Sequence, residues 1–90
     1  MTLKEIENRV TKQEENALIT HNQTYIEERI LETLNTVIKN NIKINLTEND
    51  LIEIANLYYH VFHKYNLNFL KQLVEYSDTE IDFYKLLNRL

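Results

Sequence analysis

The chain has 90 residues, with 14 acidic and 10 basic side chains for a net charge of −4, and it contains no Gly, Pro or Cys. That length fills one hydrophobic core, and average usage would place about eleven Gly and Pro residues in it. Their absence excludes phosphate-cradling loops, dinucleotide fingerprints and nucleophile elbows, which need backbone only Gly allows, and the lack of Cys excludes disulfides, thiolate nucleophiles and Cys-bearing metal centres.

Residues 1–22 come first. Leu3, Ile6, Val10, Gln13, Ala17 and Thr20 follow the spacing of a heptad seam, but half of them are polar or small. Such a stripe buries too little to hold itself. It lies on the bundle as a peripheral helix, pairs with its copy in a homodimer through Leu3, Ile6, Val10 and Ala17, or serves as a docking arm. The opening residues Met1 to Glu7 lack the apolar core of a signal peptide, and no stretch approaches the ~20 apolar residues of a membrane span. A cytoplasmic protein with no membrane partner is the expectation.

With no Gly or Pro as punctuation, helix starts are read from caps, where a side-chain oxygen satisfies free backbone N–H groups. Thr24 to Glu27 and Ser77 to Glu80 have capping-box spacing, and Thr47 to Asp50 is the Asp-ended relative. After the first cap, Ile26, Ile30, Leu31, Leu34, Val37 and Ile38 fall within an arc of about 140°, a one-sided helix over about 25–40. The run Lys39 to Leu46 is the connection, because its Asn residues favour turns. There Ile42, Ile44 and Leu46 alternate as in extended chain.

The second long helix, about 48–65, is apolar around an arc of about 220°, which predicts a central helix with neighbours on most sides. Asn66 marks the next break, as a residue tolerant of the left-handed conformation. A short helix then carries Leu67, Phe69, Leu70, Leu73, Val74 and Tyr76, and a last one carries Ile81, Phe83, Tyr84, Leu86, Leu87 and Leu90. The predicted fold is all-α, a compact bundle of four to five helices in one domain, with the N-terminal helix peripheral.

Three surfaces are candidates for function. Glu53, Asn56, His60 and His63 recur at helical spacing along the polar strip of the central helix. A His pair three apart can help hold a metal or sense pH, but the zinc-protease order is missing, so a solvated strip without metal or cofactor is expected. The six Tyr and three Phe crowd the second half, and Tyr suits half-buried contact surfaces. Tyr25, Tyr59, Tyr65 and Tyr76 are therefore the candidate partner-binding residues. Finally, Leu46 to Ala55 has the Thr cap and buried Ala of the first helix in a helix-turn-helix. No tight turn or basic recognition helix is evident after it, and a dimer would have to meet DNA phosphates with Arg9, Lys12, Lys39 and Lys43.

The paired acids Glu14-Glu15 and Glu27-Glu28 read as solvated faces rather than acid–base machinery. These features together predict a non-enzymatic binding module of the inhibitor, immunity-protein, antitoxin or adaptor type that occludes a basic protein partner. A dimeric DNA-binding regulator is the alternative, and nucleic acid is disfavoured by the acidic balance. Abundant Asn, Ile, Lys and Tyr fit AT-rich codons, as in a low-GC bacterium, phage or plasmid.

Overall fold

A computed structural model describes residues 1–14, 23–77 and 79–90. Five helices are present among them: α1 (Leu3–Gln13), α2 (Gln23–Lys39), α3 (Glu48–Phe62), α4 (Leu67–Tyr76) and α5 (Phe83–Arg89). There is no strand among the described residues, and the radius of gyration of 12.9 Å is close to the about 12 Å of a folded chain this long. The all-α architecture follows the sequence, with α2 and α3 sharing the centre. α1 packs on α2 at one side, whereas α4 meets both central helices and α5 packs on α3.

The α2 stripe behaves as its periodicity predicts: Ile26, Ile30, Leu31, Leu34, Val37 and Ile38 are all buried. Leu3, Ile6 and Val10 of α1 are buried in the same core, each worth about 1.5–3 kcal/mol relative to exposure. α1 begins at Thr2, whose hydroxyl accepts from Glu5 N. The capping box of α3 is complete, since Asp50 N donates to Thr47 Oγ1 and Thr47 N donates to the Asp50 carboxylate.

The other two boxes are not formed. Thr24 already lies inside α2, whose cap falls outside the described residues, and Glu27 turns inward. Ser77 instead ends α4 and is held in the core seam, its Oγ donating to Leu46 O and accepting from Thr79 N. α5 starts later, capped by Asp82, whose carboxylate accepts from Tyr84 N and Lys85 N.

Helix ends solve the missing-glycine problem with other residues. After α2, Asn41 adopts φ 56°, Asn41 N donates to Ile38 O and Ile42 N to Val37 O, the paired bonds that close a helix around a left-handed residue. After α3 the left-handed residue is His63, at φ 60° and ψ 28°, rather than Asn66. Asn66 has extended backbone and caps α4, accepting from Phe69 N.

The connection between α2 and α3 is extended at its end and deeply used. Ile44 and Leu46 are fully buried while Asn45 between them faces out. Ile44 N donates to Tyr76 O and Asn45 N to Met1 O, so this segment ties the start of α1 to the end of α4 through isolated parallel bridges. At the far side, Arg89 of α5 clasps Glu48 and Asn49 at the start of α3.

Candidate functional site

The polar strip of α3 does not stay together. The helix ends at Phe62 and the left-handed turn at His63 takes that residue off the helical wheel, so the spacing that aligned it with His60 no longer applies. His60 leans instead on α2. Its side chain is 61% exposed, yet Nδ1 lies 2.8 Å from Oε2 and 3.0 Å from Oε1 of Glu27. A carboxylate only accepts, so the bond requires the proton on Nδ1 and leaves Nε2 as the other ring nitrogen.

Glu27 is 6% exposed, the one buried charged residue among those described, and this corrects its reading as a solvated acid. Beside it, Glu53 and Asn56 line an open groove with Ile52 and Leu57. No group of three or more His, Cys, Asp or Glu is placed to hold a metal ion among the described residues.

Burial, then the nearby carboxylates of Glu53 and Asp50, push the Glu7 carboxyl above its ordinary range, with Lys4 opposing. Glu14, at the end of α1, accepts from Arg29 Nε at 3.2 Å, and Arg29 also binds Glu32 on its own helix. The hydrogen bond to Glu32 is the first cause that holds the Arg29 guanidinium above its ordinary range. Glu15, His21, Ala17 and Thr20 lie outside the described residues.

The four candidate tyrosines separate into different environments. Tyr59 and Tyr65 come together, 47% and 41% exposed, with ring centroids 4.9 Å apart. Tyr76 sits at the other end of α4 and is committed to the fold: its hydroxyl donates to Asn41 Oδ1 at 2.9 Å, and Lys43 Nζ lies over its ring. Tyr25 is half-buried against the core and engaged within the chain. Of the proposed seam, Leu3, Ile6 and Val10 point into the chain's own core, so meeting a second copy would require them to leave it.

Around Tyr59 and Tyr65 the structure gathers residues not singled out as a surface by the sequence. Phe62 is 44% and Leu67 48% exposed. Phe62 packs against Tyr58 with ring centroids 4.6 Å apart and planes tilted by 41°, and Tyr58 in turn meets Phe69 at 6.0 Å. The wide apolar arc of α3 is thus enclosed only over its first turns, where Leu51, Ile54 and Ala55 are buried, and it emerges as an aromatic corner at the α3–α4 turn. Large apolar side chains exposed side by side mark interaction sites more often than isolated ones do.

Behind this corner, α2, α3 and α4 border a half-open cavity of about 250 Å³, lined by the buried Leu31 and by the aromatic side chains of Tyr58, Phe62 and Phe69. Glu28, Glu32 and Asn35 of α2 line its other side.

The helix-turn-helix expectation needs one correction. A tight connection does follow the α3 cap, since only residues 63–66 separate α3 from α4. The exposed face of α4, however, carries Asn68, Lys71, Gln72 and Glu75, a single cation beside an acid. No helix among the described residues is long and apolar enough to cross a membrane. No protein-family model, curated protein or solved structure matches the chain.

Proposed function

We propose that this chain is a non-enzymatic protein-binding module of the cytoplasm, an inhibitor, immunity protein, antitoxin or adaptor that covers a functional surface of a basic partner. The observation that carries this reading is the aromatic corner: Tyr59, Phe62, Tyr65 and Leu67 are each more than 40% exposed within one turn-and-helix-end segment. Aromatic anchors that leave water on binding dominate interface energies. The net charge of −4 favours approach of a cationic partner and raises the association rate more than the final affinity.

Immobilised chain, exposed to lysate of the source cells, tests the proposal against a Phe62→Asp variant whose helicity is verified by circular dichroism. The expected result is one basic protein retained in stoichiometric amount by the native chain and lost by the variant. Identical retention by both overturns the reading.

The second reading, a dimeric DNA-binding regulator, draws support from the short α3–α4 connection. Its signature is duplex binding that weakens steeply as salt rises, together with loss of binding on Lys71→Ala.

A further inference from the structure

We propose that the cavity between α2, α3 and α4 receives one arginine side chain of the basic partner, an inference that rests on the binding-surface reading above. Size is the first argument. At about 250 Å³ the cavity lies below the about 300–1,000 Å³ typical of small-molecule pockets, and so suits a single long side chain better than a metabolite.

Wall chemistry is the second. Tyr58, Phe62 and Phe69 present rings and Leu31 an apolar side chain, surfaces that accept a planar, weakly hydrated guanidinium more readily than a compact, strongly hydrated ammonium.

Charge is the third. Two carboxylates and no basic side chain line the cavity. Glu32 is already engaged by Arg29, whereas Glu28 is exposed and makes no ion pair or hydrogen bond among the described residues. Glu28 is therefore the group left to meet an incoming cation, and a planar fork of donors matches a carboxylate in two-point contact.

The wall is also held ready. Asn66 Nδ2 donates to the Tyr58 hydroxyl at 3.1 Å while Asn66 Oδ1 accepts from Phe69 N at 3.0 Å, so one side chain holds the Tyr58 ring and anchors the backbone that carries Phe69. Pre-ordered walls reduce the entropy lost when a side chain enters.

The test is an NMR titration of the full chain with N-acetyl-arginine amide, with N-acetyl-citrulline amide as its neutral analogue and N-acetyl-lysine amide as the ammonium control. Saturable shifts of the Tyr58, Phe62 and Phe69 ring signals are expected with the arginine compound, weaker with lysine and absent with citrulline. Glu28→Gln, an exposed substitution, should weaken the arginine response about three-fold.

Equal responses to arginine and citrulline, shifts located elsewhere, no shifts, or an unchanged Glu28→Gln variant overturn the proposal. A lysine response as strong as that of arginine overturns the choice of guanidinium. If the probes fail while partner capture still depends on Phe62, this inference falls and the binding-surface reading stands. Loss of both means the corner itself is misassigned.

Discussion

The two ends of α4 are built on opposite principles. At its C-terminal end Tyr76 is bonded to Asn41, covered by Lys43, and flanked by Ile44 and Leu46, which are wholly buried. At its N-terminal end Tyr65 and Leu67 stand open beside Tyr59 and Phe62. The same residue type thus serves the fold at one end and stands exposed at the other. What separates them is the buried crossover segment, which supplies neighbours and hydrogen-bond partners to one end only.

The largest effect expected from this contrast is on stability. Leu46→Ala should cost about 3 kcal/mol, because the crossover cannot collapse onto the gap. Tyr65→Ala should cost no more than about 1 kcal/mol, as for an exposed side chain with one ring contact. Urea unfolding of both variants checks this, and equal losses would erase the distinction between the two ends.

A smaller effect belongs to the Glu27–His60 pair, which joins the open corner to α2. His60→Ala strands a carboxylate that is 6% exposed and should cost about 1–2 kcal/mol. Adding Glu27→Leu should recover most of the loss, since a buried charge pair is often replaceable by apolar packing although half of it is not. A double variant no more stable than His60→Ala alone would show that Glu27 does not depend on its partner.

His63 gives a change of opposite sign. Its left-handed backbone carries a Cβ where Gly has none, so His63→Gly should stabilise by up to about 1 kcal/mol in thermal melts. No gain would mean that the imidazole makes up for its backbone cost.

The smallest expected effect lies away from α4, at Glu7. Its folded carboxyl titrates above the ordinary value of 4.5, so the native state holds a proton that the unfolded chain has released. Stability then falls as pH rises through that interval. Glu7→Gln should raise the melting temperature at about pH 7 and leave it unchanged at about pH 3.5, below both values. An equal shift at both would assign the effect to packing instead of charge.

Much of the fold is legible in the residues because local and global preferences agree. The apolar stripe of α2 is buried member by member, and the Thr47 cap forms with both of its bonds. Competition defeats the reading elsewhere. Ser77 and Asp82 both offer a helix-capping oxygen within a few residues, and Ser77 is taken by the Leu46 carbonyl in a contact distant in sequence.

Glu27 carried a signal that capping-box spacing masked. It falls about 100° from Ile26 on the helical wheel, inside the apolar arc, where a charged residue must find a partner. The aromatic corner was only half legible. Periodicity reveals how many apolar side chains α3 bears, but not that α4 and α5 supply too few neighbours to cover its last turn.

Asn66 joins two properties that are usually separable. Its amide orients the Tyr58 ring while its oxygen starts the first turn of α4, so any replacement that cannot do both disturbs the cavity wall and the helix start together. A substitution there loses two contacts at once, which only a side chain that both donates and accepts avoids.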